Sequence, residues 1–222
     1  LVADLGLDAA GVHRRTAGNP FFVSQILAQP DSPMPESVRD AVLARTAGLD
    51  PAARRSLELL SCTPEPVDGP LLAALGVTSA TVEALGRTGL LDRHGNGVAF
   101  RHEIARSAVL DAVTPGAEPG LHAAMLDALE TVGAGSSVLA HHAVAAGDPV
   151  RSVRYATDAA AQSTRAGAHR EAVAFYETAL AHVGDDEPAA RADLLEELST
   201  ELYLTDRLPD AIASRARSAN GR

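Results

Sequence analysis

The stretch LLDRHGNGVAFRHEIA at residues 90–105 decides the fold of the first half of the chain. Residues 90–92 and 98–101 are short strand-like runs, and residues 93–97 between them hold the Gly and Asn of a good hairpin loop. A helix is predicted to follow over residues 102–113, where apolar side chains recur at helical spacing. A β-hairpin that leads directly into a helix is therefore the centre of this region.

Three helices are predicted to precede this hairpin. The first spans residues 51–61 and opens with Asp50 as its N-cap and Pro51 at the first helical position, which are favourable residues there. A short helix holds the leucines between residues 71 and 75, and a third opens at Thr78 or Ser79. Three helices, a hairpin and a further helix form the pattern of a winged-helix domain.

The residues before this domain are predicted to be helical as well. Residues 2–12 form a short helix or lead-in, and a helix over residues 20–29 starts at Pro20. The three prolines within residues 29–35 predict a turn-rich break, after which another helix begins at Glu36.

The second half of the chain has a purely helical pattern after a linker at residues 115–120. Gly and Pro separate the segments and mark the helix ends. The predicted helices span residues 121–132, 137–146, 149–165, 169–183, 190–204 and 208–218.

A weak internal repeat lies within these helices. Its residues fall on the small and large positions of a tetratricopeptide helical hairpin, where small residues let helices touch and bulky ones fill the gaps. The first copy comprises Ala156, Ala159, Ala160, Ala172, Tyr176, Ala179 and Leu180, and the second, shifted by 39 residues, comprises Leu195, Leu198, Ser199 and Ala211. An Ala-rich bundle with accidental periodicity is the alternative.

Composition supports close-packed helices, because the apolar residues are mostly Ala, Leu and Val while aromatic residues are scarce and Trp is absent. The sequence therefore predicts a mainly α fold: a winged-helix domain with a small β-hairpin, followed by an α-helical tetratricopeptide-like repeat region. The predicted domains are residues 1–48 (the helices that precede the winged helix), 49–114 (the winged helix) and 115–222 (the repeats).

All 19 basic residues are Arg, so the chain holds no P-loop lysine and no Schiff-base lysine. The net charge of −10 argues against a nucleic-acid surface.

A single cysteine, Cys62, predicts a reducing, cytoplasmic location. No apolar run is long enough for a membrane span, and no signal peptide is expected. The sequence begins with Leu1 and not with Met, as expected for a fragment of a longer protein.

The segment Gly18-Asn19-Pro20 is one candidate binding element. A Pro held at a helix start can pack its ring against a flat purine, and a Gly lets the backbone approach a ligand. The alternative for Gly18 and Pro20 is an ordinary turn before a helix.

His102 is the second candidate, because a side chain at a strand-to-helix junction faces free N–H groups and the positive end of a helix dipole. The alternative is that His102 caps its helix or packs at the corner. Arg101 and Arg106 flank it and are secondary candidates for a phosphate contact.

No catalytic residue and no metal site are predicted. His141 and His142 are adjacent, and neighbouring positions on a helix do not share a face. Structural or solvent-facing roles are therefore expected for both histidines.

Three motifs carry a resemblance to a known family: HRRTAGNPFFV at residues 13–23, PESVRDAV at residues 35–42 and FRHEIAR at residues 100–106. In order and spacing they resemble large LuxR-type transcriptional regulators with an AAA-like ATPase domain, which belong to the signal transduction ATPases with numerous domains (STAND). The resemblance covers essentially the whole chain. It implies that residues 1–48 are the end of a nucleotide-binding module, followed by the winged helix and the start of the helical repeats.

The resemblance implies that Pro20 contacts adenine and that His102 contacts the phosphate of ADP. Gly18 and Arg101 are the neighbouring candidates for the same nucleotide site. The usual Met-His-Asp of the family reads Arg101-His102-Glu103 here. The P-loop, the Mg²⁺-binding acidic strand and a C-terminal helix-turn-helix are missing from the sequence. ATP hydrolysis and promoter binding would thus belong to an intact parent, and this fragment alone is not expected to be an enzyme or to bind ATP or ADP tightly.

The favoured hypothesis is a regulatory segment that couples nucleotide state to signal sensing. Its partners would be the ATPase core and DNA-binding domain of the parent, and a protein or small-molecule inducer on the repeats. Two alternatives are a free-standing helical-repeat interaction module without a nucleotide role, and a winged-helix DNA-binding protein. The predicted recognition helix near residues 78–87 offers only Arg87 as a base, which weakens the DNA alternative.

Overall fold

The computed structural model describes residues 8–29, 32 and 34–220. It divides the chain into two compact units, residues 1–128 and 129–222. Of the predicted helix over residues 2–12, positions 2–7 lie outside the described residues. Positions 30, 31 and 33 of the predicted break at residues 29–35 also lie outside them.

The first unit consists of helices and one hairpin. Several helices begin where a side chain accepts from the first-turn N–H groups, as Asp50 does from Ala53 N at 2.9 Å and Thr78 from Thr81 N at 3.2 Å. The elements are α1 (Ala9–Thr16), α2 (Pro20–Ala28), α3 (Glu36–Thr46), α4 (Pro51–Ser61), α5 (Gly69–Ala74), α6 (Ser79–Arg87), β1 (Leu91–His94), β2 (Gly97–Phe100), α7 (Glu103–Asp111) and α8 (Glu118–Thr131), within which the unit boundary falls.

The hairpin is tighter than the sequence predicts. Arg93 pairs with Val98 and His94 with Gly97, so both strands extend into the predicted loop and leave only Gly95 and Asn96 as the turn. A two-residue turn suits the right-handed twist of paired strands. Val67 adds an isolated bridge to Val98 on the other side of β2.

Helix α7 is the central element of the first unit. It packs against α1, α3, α4 and β2. Its residues Ile104 and Ala108 are almost fully buried, as are Val42 of α3 and Leu57 of α4. The residue that opens α7 is therefore held in place by several packed elements.

The second unit is a succession of helices: α9 (Ser136–Ala146), α10 (Pro149–Arg165), α11 (His169–His182), α12 (Pro188–Leu204) and α13 (Leu208–Asn220). Each packs against the next one along the chain. The bounds lie within two residues of those predicted. Helix α8 instead begins three residues earlier than predicted, because Pro119 is favourable in a first helical turn.

The residues assigned to the repeat lie between these packed helices. All are buried except Leu180, which is half-buried. Ala156, Ala160, Ala172 and Ala179 have no exposed surface at all, as expected where helix backbones approach closely. The serines of α13 tie it to α12, since Ser214 donates to the carbonyl of Leu195 at 2.9 Å.

Thirteen helices and one two-stranded antiparallel sheet make up the described part of the chain, so the predicted mainly α fold is confirmed. None of the helices within residues 8–29 and 34–220 is long and apolar enough to cross a bilayer. The winged-helix assignment and the boundaries near residues 48 and 114 stay predictions.

Candidate functional site

The two candidate elements, 83 residues apart in sequence, meet in the structure. Asn19 Nδ2 lies 3.3 Å from His102 Nε2. The ring of Phe22 lies edge-on to the His102 ring, with 5.1 Å between the ring centroids. Residues of the predicted Gly18-Asn19-Pro20 element and the predicted histidine thus belong to one site.

A sharp turn before α2 positions Asn19. Ala17 and Gly18 both adopt left-handed backbone angles, with φ of 45° and 75°, and Gly18 N donates to Thr16 Oγ1 at 3.2 Å. Glycine reaches this conformation at little cost. The turn is followed by Asn19 as N-cap and Pro20 at the first helical position, the arrangement that this pair of residues favours.

Asn19 has a defined amide orientation. Its Oδ1 accepts from Phe21 N at 3.0 Å and from Phe22 N at 3.4 Å. These two backbone donors fix the oxygen toward the helix, so the amide nitrogen faces His102 as a donor.

His102 follows β2 and opens α7. Its backbone is extended (φ −137°, ψ 129°), and within the described residues its side chain makes no capping hydrogen bond. The imidazole instead turns toward α2. The geometry therefore does not support the alternative that the His102 side chain caps its own helix.

The surroundings of His102 favour the neutral imidazole. Burial lowers its pKa below the ordinary value, and the positive charges of Arg101 and Arg45 lower it further. The negative charge of Asp92 and a hydrogen bond with the backbone of Thr16 act in the opposite direction. Since an unperturbed histidine titrates at about 6.5, the lowered pKa favours the neutral form of the His102 ring at neutral pH.

One nitrogen of the ring is enclosed. Nδ1 of His102 is buried and has no hydrogen-bond partner among residues 8–29, 32 and 34–220. A buried polar atom without a partner costs free energy in a folded protein, so such an atom calls for an explanation.

The Arg101 side chain is engaged by a residue other than His102. Its guanidinium pairs with Asp92 across the hairpin, at 2.6 Å from Nη2 to Oδ1 and 3.0 Å from Nε to Oδ2. This pair lowers the pKa of Asp92 and is about half exposed. Arg106 pairs with Glu103 at 2.6 Å and donates to the Ser61 carbonyl. A phosphate role for either arginine stays a prediction.

The outer side of the site is open. Gly18 and Pro20 are exposed, and Phe21 keeps 44% of its surface accessible. The exposed start of α2, with Pro20 and Phe21, therefore lies beside the His102 contact.

Two members of this site, Phe22 and the side chain of Asn19, are not predicted from the sequence. The N-cap role of Asn19 has a sequence signal, since Asn followed by Pro before an apolar run is a typical helix start. The contacts of both residues with His102 arise from tertiary packing and have no local signal.

His141 and His142 differ in exposure, with His142 buried and His141 exposed. The two rings nevertheless contact each other edge to face, with 5.0 Å between their centroids. The absence of a metal at this pair stays a prediction.

Comparisons with known proteins give one structural likeness. The chain is similar to a signal transduction ATPase with numerous domains (STAND) protein with a tetratricopeptide repeat sensor from Pyrococcus horikoshii, with a TM-score of 0.44 and 15% identity. The match covers 96% of this chain and 37% of that chain. No family model and no curated protein matches the sequence. A likeness of this size establishes no family.

Proposed function

We propose that this chain is a regulatory segment of an ATP-dependent transcriptional regulator of the LuxR type, and that it couples nucleotide state to signal sensing through its helical repeats. The observation that supports the proposal most is the contact between Asn19 and His102. It joins the two sequence elements that the resemblance assigns to the adenine and the phosphate of a bound nucleotide.

In this proposal the segment supplies one side of a nucleotide site. The exposed ring of Pro20 would pack against the purine. His102, at the start of α7, would contact the phosphate, where the helix N-terminus also favours negative charge. The chain has no Lys, so an ATPase core elsewhere in the parent would supply the P-loop and the hydrolytic chemistry.

The site would act as a switch between two states. With ADP bound, Pro20 and His102 would hold this segment on the ATPase core. Exchange for ATP, assisted by an inducer or protein partner on the repeats, would release it. Such a switch requires that the nucleotide interacts differently with the two states. Promoter binding would be left to another domain of a cytoplasmic parent.

Nucleotide affinity of the intact parent tests this proposal. The variants Pro20→Ala and His102→Ala are compared with His94→Ala, which removes an exposed histidine of the same unit. Loss of one hydrogen bond to a charged group weakens binding by about tenfold, so we expect that decrease in ADP affinity for His102→Ala. Unchanged ADP affinity in both site variants, with His94→Ala also unchanged, would contradict the proposal.

The repeat region favours a second candidate function, protein interaction without a nucleotide role. Tyr203, Leu204, Leu208 and Ile212 are between 51% and 64% exposed near the junction of α12 and α13. Several large apolar side chains exposed within one short segment can form an interaction surface. Binding of a protein partner by a parent that shows no ADP binding would favour this candidate.

A further inference from the structure

Asn19 is the middle residue of the Gly18-Asn19-Pro20 element, and neither the resemblance nor the proposed function gives its side chain a role. Its two polar atoms are nevertheless both engaged. Oδ1 accepts from the N–H groups of Phe21 and Phe22, and Nδ2 lies 3.3 Å from Nε2 of His102.

Because Oδ1 of Asn19 is engaged by backbone N–H groups, the amide nitrogen faces His102, and this determines which ring nitrogen accepts a hydrogen bond. A carboxamide nitrogen only donates, so Nε2 of His102 must accept. A neutral imidazole carries one proton, and an accepting Nε2 leaves that proton on Nδ1. Nδ1 is the enclosed atom without a partner in the described part of the chain.

We propose that Asn19 is a positioning residue that holds His102 as the Nδ1–H tautomer and leaves neither ring nitrogen open to an outside anion. Nε2 is occupied by Asn19, and Nδ1 is enclosed. The structure therefore corresponds to a closed state of the ring. Insofar as His102 contacts a phosphate, a consequence that rests on the proposed function, the ring must first leave Asn19.

The charged groups around His102 do not select between the two imidazole tautomers in the same way. Arg101, on the same junction, is paired with Asp92 of β1, and this pairing engages both side chains. Arg45 of α3 acts through its positive charge. These groups affect how readily the ring takes up a second proton, whereas the Asn19 contact engages one specific ring nitrogen, Nε2. The backbone of Thr16 also forms a hydrogen bond with the ring, which favours its protonation.

The tautomer can be read directly from the nitrogen NMR signals of the His102 ring in this chain, at a pH where the ring is neutral. The chain holds eight histidines, so the His102 signals are assigned by their loss in His102→Gln. We expect a protonated Nδ1 and an unprotonated Nε2 in the wild-type protein.

Two variants keep the helix cap and change only what faces Nε2. Asn19→Asp replaces the donor by an acceptor, so we expect the proton to move to Nε2 or the ring to become doubly protonated. Asn19→Ser still caps α2 but is too short to reach the ring, so we expect a mixture of tautomers. Asp and Ser are both favourable N-caps, and backbone amide spectra show whether each variant remains folded.

A wild-type ring protonated on Nε2 would overturn the proposal, as would a folded Asn19→Asp variant with the wild-type tautomer. Neither result depends on a nucleotide. Failure of this proposal is therefore distinguishable from failure of the proposed function, which is measured by ADP affinity.

Discussion

At the scale of single residues, burial changes the acid–base chemistry of two side chains in the first unit, His102 and Cys62. His102 loses basicity because it is partly buried and lies near Arg101 and Arg45. Cys62 loses acidity because it is packed with Leu59 and Leu121 and faces the charge of Glu118. The effect on His102 is measured as the pH dependence of stability, and the effect on Cys62 is measured as the reactivity of its thiol.

Cys62 is expected to be unreactive in the folded protein. Burial raises the pKa of its thiol to about 11, and only the thiolate reacts with alkylating reagents. Labelling with iodoacetamide at about pH 8, followed by mass spectrometry, should give modification only after denaturant is added. Rapid modification of the native protein would contradict the burial of this residue.

His102 is expected to make stability fall in mild acid. Its pKa is lowered in the folded protein, so the unfolded chain takes up the proton first as the pH decreases below about 6.5. The free energy of unfolding decreases through this range and levels off below the folded-state pKa.

The measurement is urea unfolding at several pH values between about 7.5 and 5, which spans histidine titration. The His102→Gln variant should lose less stability across this range than the wild-type protein. The matched control is His94→Gln, which changes an exposed histidine and should follow the wild-type curve. Equal losses in all three proteins would show that His102 is not the cause.

At the scale of elements, predictability depends on whether the signal is local. The helix ends of the second unit could be predicted because Gly and Pro mark them, as at Gly147 and Pro149. The extent of the hairpin could not, since the pairing of Arg93 with Val98 depends on strand contacts. The same holds for the site: Asn19 as a helix start is local information, whereas its contact with His102 is not.

The close approach of β2 to the backbone of residues 67 and 68 can be tested by a substitution in the hairpin. A Cβ at Gly97 would lie 2.0 Å from the Val67 carbonyl oxygen and 2.6 Å from Asp68 Cα. Because both are backbone atoms, Gly97→Ala should displace the strand and reduce the free energy of unfolding by about 1–3 kcal/mol.

Gly86→Ala is the matched control for this change. Gly86 lies in α6, and no described atom outside its own helix backbone lies within 4 Å of the added Cβ. Because Ala is the better helix former, this variant should stabilise the protein by about 0.5–1 kcal/mol. Thermal and urea unfolding compare the two variants, and equal effects would contradict the close approach of β2 to residues 67 and 68.

At the scale of the whole molecule, the repeat region is held together by buried contacts between successive helices. Small residues bring α10 and α11 close together, and one buried carboxylate joins them to α12. Glu201 of α12 accepts from Thr164 at 2.8 Å and contacts His169 Nδ1 at 2.7 Å. Its side chain is only 3% exposed.

Removing this carboxylate should loosen the stack of helices. Glu201→Ala leaves Thr164 and His169 without their buried partner, so we expect a loss of about 2 kcal/mol or more in the free energy of unfolding. Glu197→Ala, one turn earlier and exposed, should change it by no more than about 0.5 kcal/mol. Equal stabilities in urea unfolding would show that Glu201 does not connect these helices.

The account as a whole rests on His102 as the phosphate-facing residue of a nucleotide switch. The measurement that tests this most directly is the retention of ADP by the intact parent, followed as the rate at which bound ADP is lost. We expect ADP to leave His102→Ala about tenfold faster than wild type, and to leave His94→Ala at the wild-type rate. Equal rates for His102→Ala and wild type would contradict the central claim.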